Sequence, residues 1–409
     1  MRILLVTPYF PPEVGSAAHL YAELGGALRD RGHEVMVLTG LPRYHVLQPQ
    51  EKGRRRPLAW QDYRGLKVLR VFNLDIPWDL PWLRGVDQLC SALSALAGGA
   101  LLPSFDVALA YSPPLPLALA AWALSRARGR PLVLNVQDLF PQSPIDLGVL
   151  KNPGLIRFFR GMESFLYRHA DLIVVHSEGN ASYIAARGGA GEKVRVIPNW
   201  VDTGTLRPGR RQNGLRAELG LERYFLVTFA GIMGYSQDLD TVVQAAARLK
   251  GREDIAFLLV GDGVEKGRLV QMAREQDLSR VFFLPLQPKE RYGEVLTASD
   301  VCLATLRPEV GTPVVPSKIL GIMAAARPVL AGMPLAGDAP RLVKEAGCGL
   351  CVPSGDPEAL AQAILHLYAH PRLRGRMGAR GRRYAVGHLS LNACAGRWES
   401  VMGGVIPPN

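Results

Sequence analysis

The tripeptide Pro316-Ser317-Lys318 combines signals for a helix start with a positive charge. Proline and serine are typical of the beginning of a helix, so we expect one to start here, capped by the Ser317 hydroxyl. Lys318 then lies in the first turn, where the helix dipole disfavours a cation. A bound phosphate group would offset that cost, because it attracts both the ammonium and the free backbone N–H groups. The alternative is a solvated surface lysine.

Gly15-Ser16 is a second candidate anion site, since it falls between a predicted strand and a predicted helix. Glycine allows close approach to the backbone, and the first N–H groups of a helix have no partner within it. A negatively charged group is therefore expected to bind at Gly15 and Ser16. A serine cap after a flexible loop is the alternative.

The sequence predicts no metal site. Asp238-Leu239-Asp240 opens a predicted helix, where the dipole favours aspartate, and we interpret it as helix capping. Cys348 and Cys351 form a CxxC without the second pair that a zinc site needs, so we interpret them as small core residues. The histidines show no metal-ligand spacing with other residues.

The elements that must position these residues alternate between strand and helix, which predicts parallel sheets. Apolar runs predict two series of strands on either side of a polar segment, 202–222, that we interpret as a linker. The first series is 3–7, 34–38, 68–72, 107–111, 132–136, 172–176 and 194–197; the second is 225–230, 256–260, 281–284, 301–304, 329–331 and 350–352. The fold class is thus α/β, with two Rossmann-like doubly wound domains facing a cleft that holds the ligand.

A dinucleotide enzyme is excluded, because the first strand is not followed by G-x-G-x-x-G and Gly261-Asp262-Gly263 lacks the third glycine at the required spacing.

Several motifs, in this order along the chain, resemble the GT-B glycosyltransferases of family 4. They are Pro8-Tyr9-Phe10-Pro11-Pro12-Glu13 followed by Gly15, Arg31-Gly32-His33-Glu34-Val35, Ile197-Pro198-Asn199-Trp200-Val201-Asp202, Val260-Gly261-Asp262-Gly263 and Pro316-Ser317-Lys318. The likeness runs from Arg2 to about Trp398 and is to bacterial enzymes that build extracellular and surface polysaccharides. It implies retaining transfer of a sugar from a UDP- or GDP-sugar donor to an acceptor hydroxyl, with no cofactor and no metal.

The same resemblance implies an acceptor-side domain over 1–203 and a nucleotide-sugar-binding domain over 204–385. Residues 386–409 are expected to form a C-terminal helix and tail that pack back on the first domain.

The resemblance also assigns roles on the donor side. Gly15, Ser16, Gly261, Ser317 and Lys318 are expected to contact the donor diphosphate, with Lys318 stabilising the leaving group. An arginine and a lysine of the family are replaced by Ile232 and Ser236, so Gly234 and Ser236 are expected to donate hydrogen bonds. More of the phosphate charge then falls on Lys318, helped by Arg307.

Two further departures affect the sugar and the ribose. The paired glutamates of the family fall near Pro313 and Gly321, and Glu309 is expected to hold the ribose hydroxyls in their place. A histidine that often touches the donor sugar is Gln137 here. Its neighbour Asp138 is expected to bind the acceptor or orient its hydroxyl, with a turn or helix cap as the alternative.

The expected function is therefore hexosyl or N-acetylhexosaminyl transfer. A nucleotide-sugar epimerase of the same architecture is an alternative, and the missing glutamates keep open a non-catalytic partner subunit.

The composition limits the kinds of partner and the cellular compartment that we expect for this protein. The net charge is +12, but the basic residues are scattered and not interleaved with aromatics, so we expect no nucleic acid partner. Five cysteines fit a reducing compartment and a cytoplasmic protein. The longest apolar stretch, 89–103, is shorter than the roughly 20 residues of a spanning helix.

A peripheral membrane contact is nevertheless expected at the inner face of the cell membrane. Trp78, Leu80, Trp82 and Leu83 precede the apolar stretch 89–102, and Arg54, Arg55 and Arg56 lie upstream. This combination suits an interfacial helix and a lipid-linked saccharide acceptor. A core helix over 89–102 is the alternative.

Overall fold

The structure is a computed structural model that describes residues 1–13, 15–43, 46, 58–74, 81–146, 148–188, 191–311 and 313–407. The chain divides into two compact units, Met1–Asn199 with Leu391–Asn409, and Trp200–Ser390. Each unit contains one sheet in which parallel strands dominate, so the predicted α/β class with two doubly wound domains is confirmed.

The sheet of the first unit has eight strands among the described residues, in the order β3-β4-β2-β1-β5-β6-β7-β8. Every neighbouring pair is parallel except β3 and β4. The central strands are buried on both faces, which is why they read as unbroken apolar runs. The strands are β1 (Arg2–Val6), β2 (Glu34–Gly40), β3 (Leu58–Tyr63), β4 (Leu66–Val71), β5 (Val107–Ser112), β6 (Leu132–Val136), β7 (Leu172–Val175) and β8 (Val194–Val196).

Helices cover this sheet, and the end of the chain returns to it. They are α1 (Ser16–Asp30), α2 (Pro81–Gly99), α3 (Leu115–Ala127), α4 (Gln142–Asp146), α5 (Pro153–His169), α6 (Glu178–Gly188) and, from the chain's end, α15 (Leu391–Val405). Trp398 of α15 is buried, while Glu399 accepts from Arg31 and lies 3.0 Å from the His33 ring. The segment Arg31-Gly32-His33 thus anchors the C-terminal helix to the first unit.

The sheet of the second unit has six strands within the described ranges, all parallel, in the order β11-β10-β9-β12-β13-β14. The strands are β9 (Phe225–Ala230), β10 (Ile255–Val260), β11 (Val281–Leu284), β12 (Val301–Thr305), β13 (Val329–Gly332) and β14 (Gly349–Val352). The helices are α7 (Gly214–Leu219), α8 (Leu239–Arg248), α9 (Lys266–Glu275), α10 (Lys289–Ala298), α11 (Ser317–Ala324), α12 (Asp338–Ala346), α13 (Pro357–Ala369) and α14 (Pro371–His388). The order reverses at β9, and a ligand site is expected where neighbouring connections diverge.

Two sequence predictions were wrong. Strand β3 was missed, because its residues 60–62 are exposed, none of its residues is fully buried, and it pairs antiparallel at the sheet edge. The segment 202–222 is not a plain linker, since it contains α7 with its fully buried Arg216. The Arg216 guanidinium lies 2.6 Å from Asp300, which also accepts the backbone N–H of Leu226 at 2.9 Å. This buried pair ties the segment to the second sheet.

We expect Asp300→Asn to lower the free energy of unfolding by about 3–5 kcal/mol, because it leaves the Arg216 charge buried without a counter-ion. Urea denaturation measures the change. The control is Asp277→Asn, which removes an exposed pair with Lys250 at 3.8 Å and should cost less than about 1 kcal/mol. Equal losses in the two variants would contradict the structural role of Asp300.

Candidate active site

Three loops leave the carboxyl ends of β9, β10 and β12 at one edge of the second sheet. The first two touch through their backbones. Gly261 has φ +151°, and a Cβ atom there would lie 1.9 Å from the carbonyl oxygen of Gly231. Gly263 has φ +150°, and its Cβ would lie 2.5 Å from the Met233 oxygen. Glycine is therefore required at both positions, and Gly261 fixes the course of the loop after β9.

Lys318 reaches across this edge from the second position of α11. Its ammonium group donates a hydrogen bond to the side-chain oxygen of Gln237 and lies 4.3 Å from the centre of the Phe229 ring. A Cβ on Gly231 would be 3.3 Å from Lys318 Cε, so the absent side chain leaves room for the lysine. Burial lowers the pKa of Lys318 to about 7. The half-buried Lys318 is not the solvated lysine of the alternative interpretation.

The predicted cap at Ser317 is wrong. Pro316 holds the N-cap position of α11, no side chain caps the helix, and Ser317 is its exposed first residue. The first N–H groups of α11 therefore donate to no side-chain cap. The ammonium of Lys318 lies at a helix start where both the dipole and desolvation act against its charge.

Arg307 follows β12 and is already paired with two carboxylates. Its guanidinium lies 3.1 Å from Asp240 and 3.7 Å from Glu265, and Arg268 contacts the same two side chains. The backbone N–H of Arg307 donates to the Ser236 carbonyl at 3.0 Å. Arg307 thus stands beside the loop after β9, with its charge largely compensated.

The interpretation of Asp238 and Asp240 as helix caps also needs correction. Asp238 precedes α8 in a left-handed conformation and makes no cap hydrogen bond to that helix. Its carboxylate accepts from the Thr241 hydroxyl and from the Gly355 N–H, both at 2.9 Å. Burial raises the pKa of Asp238. Asp240 lies in the first turn of α8 but pairs with the arginines. Both carboxylates therefore have protein partners.

The remaining residues of this unit that are predicted to bind the sugar donor lie around the same edge of the second sheet. Gly234 precedes a short 3-10 turn, Tyr235–Gln237, and the half-buried Ser236 hydroxyl accepts from the Gln237 amide at 3.2 Å. Glu309 is exposed in the loop between β12 and α11. The structure thus brings Gly234, Ser236 and Lys318 close together through Gln237, whereas Glu309 has no described bond that would fix it.

In the first unit, Gly15 precedes α1 in an extended conformation and is exposed. No atom lies within 4 Å of a Cβ built on Gly15, so packing does not require glycine here. Ser16 begins α1, but its side chain lies outside what the structure describes.

A network of amides that the sequence did not predict lies at the carboxyl edge of the first sheet. Gln137 and Asn199 exchange two hydrogen bonds of 3.0 and 2.8 Å. Gln137 also donates to Asn135, which donates to the hydroxyl of Tyr21 at 3.2 Å. Gln137 is therefore engaged by protein groups on both sides. Only the polar side chains at consecutive strand ends could have hinted at this network.

Asp138, the next residue, borders a cavity of about 280 Å³ within the first unit. Tyr9, Tyr111 and Phe140 also line it. The Asp138 side chain is open to this cavity, but the surrounding protein desolvates the carboxylate and raises its pKa. Such a carboxylate is suited to accept a hydrogen bond from a ligand hydroxyl. Its assignment to the acceptor remains a prediction.

Two features are absent from the described residues. There, no three His, Cys, Asp or Glu side chains gather as a metal site would need. In the same part of the chain, no helix is both long and apolar enough to cross a membrane. Arg54 to Arg56, Trp78 and Leu80 lie outside the described residues, as do the side chains of Trp82 and Leu83.

Comparison with known families identifies the class. The family model of the glycosyl transferase 4-like domain matches residues 15–200, and that of glycosyl transferases group 1 matches residues 224–370. Together they span most of both units. The chain therefore belongs to the family 4 glycosyltransferases of GT-B fold, which confirms the resemblance inferred from its motifs.

Two relatives and one solved structure illustrate the likeness. The glycosyltransferase WbjE of Pseudomonas aeruginosa is 30% identical over 263 residues, which cover 63% of this chain and 65% of WbjE, slightly less than two thirds of its length. WcaI of Escherichia coli (strain K12), named as a colanic acid biosynthesis glycosyl transferase, is 26% identical over 337 residues, or 79% of this chain and 81% of WcaI. HepE of Anabaena, solved with UDP, shares the fold with a TM-score of 0.74 at 18% identity, over 99% of this chain and 100% of that chain.

Proposed function

We propose that the chain is a retaining glycosyltransferase that moves a hexosyl or N-acetylhexosaminyl group from a UDP- or GDP-sugar to an acceptor hydroxyl. The observation that carries the proposal is Lys318, a desolvated ammonium at the start of α11 whose partners are an amide and an aromatic ring. The names of the relatives support the rest. WcaI is named for colanic acid biosynthesis and HepE was solved with UDP, so we place the reaction in surface or extracellular polysaccharide synthesis.

The roles of these residues in sugar transfer follow from the place where negative charge develops during the reaction. As the bond between the anomeric carbon and the bridging oxygen breaks, negative charge grows on the leaving nucleotide diphosphate. The Lys318 ammonium and the first N–H groups of α11 stabilise that charge, and they act most strongly in a site with little water. Gly234 and Ser236 offer further donors beside the phosphates, and Glu309 is assigned to the ribose. Asp138 orients the acceptor hydroxyl in the first unit.

Substitution of Lys318 tests the proposal. Lys318→Ala should lower turnover by about 10²-fold, the scale of losing one electrostatic stabiliser. Lys344→Ala, an exposed lysine on α12, is the matched control and should change nothing. The assay follows nucleotide release from a panel of UDP- and GDP-sugars. Normal turnover in a folded Lys318→Ala protein would remove Lys318 from the mechanism.

The pKa of Lys318 determines in which direction kcat/KM should change with pH. The pKa of Lys318 is about 7 in the unliganded protein, so its cationic form is present below that pH and is lost above it. If the cation stabilises the leaving group, kcat/KM falls as pH rises through about 7. Lys318→Arg keeps its charge over this range and should lose that inflection.

The same nucleotide-sugar panel separates the alternatives. A transferase releases nucleotide slowly without an acceptor, an epimerase forms a new sugar, and a non-catalytic subunit does neither. No observation in the molecule favours the epimerase.

Metal independence is part of the proposal, because Lys318 and the helix N–H groups supply the charge that a divalent ion would supply. Activity should persist in excess EDTA. Complete loss that manganese or magnesium restores would contradict this, and Asp238 and Asp240 would then need a new assignment.

We also propose that the first unit contacts an anionic membrane surface and takes a lipid-linked saccharide acceptor. The observation behind it is α2, where Val86, Leu89 and Leu93 are 47%, 52% and 67% exposed at helical spacing. The opposite face of α2 places Ala92 and Ala95 in the core. The alternative, a core helix over 89–102, therefore holds for one face of α2. The exposed apolar face is suited to the interface of a bilayer.

Flotation with anionic liposomes tests this contact. We expect the protein to float at low salt and less so at high salt. Leu93→Glu on α2 should abolish flotation, whereas Leu155→Glu, an exposed leucine on α5 of the same unit, should not. If the wild-type protein stays at the bottom of the gradient at low salt, the membrane proposal is wrong.

A further inference from the structure

A groove, which we call the β14 groove, runs along the strand at one edge of the second sheet. Residues of α12 and α14 form its two sides. One end lies at Gly347, where a Cβ atom would be 3.2 Å from Cδ of Arg380, and the other lies at residues 335–337 after β13. Its volume is about 620 Å³, within the range of about 300–1,000 Å³ that is usual for binding sites. Because β14 has four residues, the groove has the length of an extended segment of about four residues.

The open edge of β14 leaves backbone groups without partners in this groove. The carbonyl oxygens of Cys348 and Val352 accept backbone hydrogen bonds from β13 and the residue after it, at 3.0 and 3.1 Å. Backbone groups alternate in direction along a strand, so those of Gly349 and Cys351 point away from β13. Both residues line the groove, and these groups have no hydrogen-bond partner among the described residues. Such an edge is a template for pairing with a further strand.

The floor of the β14 groove is apolar. Its side chains are those of Leu335, Pro340, Val343, Leu350, Leu373 and Met377. Val343 and Met377 belong to the buried cores of the second unit, whereas Leu335 is 54% exposed. The floor therefore combines fixed core residues with apolar surface that is open to solvent. In an added strand, alternate side chains point to opposite faces, and one set of them would cover this surface.

Four cationic side chains flank the groove, and the described residues that line it include no aspartate or glutamate. Arg341 and Lys344 lie on α12, and Arg376 and Arg380 lie one turn apart on α14. All four are exposed. Arg341 is 3.4 Å from Asp338, but the other three side chains have no ion pair with a described residue. This local excess of positive charge favours an anionic partner.

We propose that the β14 groove binds an extended acidic segment of a partner protein, which adds a strand to the second sheet. A free phosphate would use only the cations, and a lipid phosphate would use the cations and the apolar floor. An extended peptide uses both and also pairs with the free backbone groups of Gly349 and Cys351. Its acidic side chains bind the cations on the two sides of the groove. This surface is separate from the residues assigned to sugar transfer, so the proposal does not rest on the transferase function.

Binding of short synthetic peptides to the full chain tests the proposal. The probes are fluorescent hexapeptides that alternate glutamate with valine, leucine or phenylalanine, each compared with a lysine version and with versions N-methylated at one or the other alternate set of residues. Fluorescence anisotropy gives the dissociation constants. We expect at least one glutamate peptide to bind about tenfold or more tightly than its lysine version, and one N-methylated version to lose about tenfold. If no glutamate peptide exceeds its lysine version, or if N-methylation of neither set matters, the proposal is wrong.

Charge reversal on α14 separates the groove from the general attraction of a basic protein for acidic peptides. The double variant Arg376→Glu with Arg380→Glu should weaken binding of the best glutamate peptide about tenfold or more. The matched control is Arg372→Glu with Arg383→Glu, which changes the net charge equally at exposed positions of the same helix outside the groove. It should weaken binding less than about twofold. Nucleotide release from sugar donors should be unchanged in both. Equal losses of peptide affinity in the two double variants would overturn the proposal.

Hydrogen exchange of the β14 amides shows whether the peptide pairs with the strand. In the free protein the N–H groups of Gly349 and Cys351 face the groove, so their exchange should be fast. The bound glutamate peptide should slow the exchange of at least one of them about tenfold or more, as measured by NMR. Inorganic phosphate and anionic vesicles, added without peptide, should leave both rates unchanged. Equal protection by phosphate or by vesicles would assign the groove to that ligand and overturn the peptide proposal.

Discussion

The close backbone contact between the loops that follow β9 and β10 sets the geometry of the second unit's functional edge. Because Gly261 has no Cβ, the Gly231 carbonyl can sit against it, and this holds the first loop close to the sheet. Gly231 in turn leaves the space that Lys318 fills. The position of the ammonium therefore depends on two glycines whose own chemistry is inert. A methyl group at either position would displace the loop or the lysine before any ligand arrives.

The charges at this edge are distributed unequally. Arg307 and Arg268 share Asp240 and Glu265, so two cations and two anions largely cancel. Lys318 instead meets a neutral amide and a ring face, and its pKa falls to about 7. A cation that is desolvated in this way gains more from an incoming anion than one that already has a carboxylate partner. Ile232 and Ser236 follow β9 at the positions where the resemblance predicts an arginine and a lysine, and neither carries a charge.

Sequence patterns predicted the strands well because parallel strands buried on both faces must be continuous apolar runs. They failed where a polar residue is buried. Arg216 looked like part of a solvated linker, since its partner Asp300 lies 84 positions away and no local pattern connects them. The same difference between local patterns and contacts of distant residues applies to the candidate site. Lys318 lies in a local motif and could be singled out from the sequence, whereas the pairing of Gln137 with Asn199 spans 62 positions and has no local pattern. Ser317 was misjudged because Pro316, and not the serine, holds the cap position.

The charged groups at the first unit's cavity and at the second unit's sheet edge have opposite signs. The net charge of the chain was therefore a weak guide to the site. The chain carries +12, yet the cavity of the first unit is lined by acids and amides, without a described lysine or arginine. Asn73 belongs to the wall of that cavity, but its amide oxygen is buried behind the surface of the wall and has no hydrogen-bond partner among the described residues. The second unit places a desolvated cation, Lys318, at the carboxyl edge of its sheet. A net charge sums over all ionisable groups of the chain, so it does not report a local balance of charge that differs between the two units.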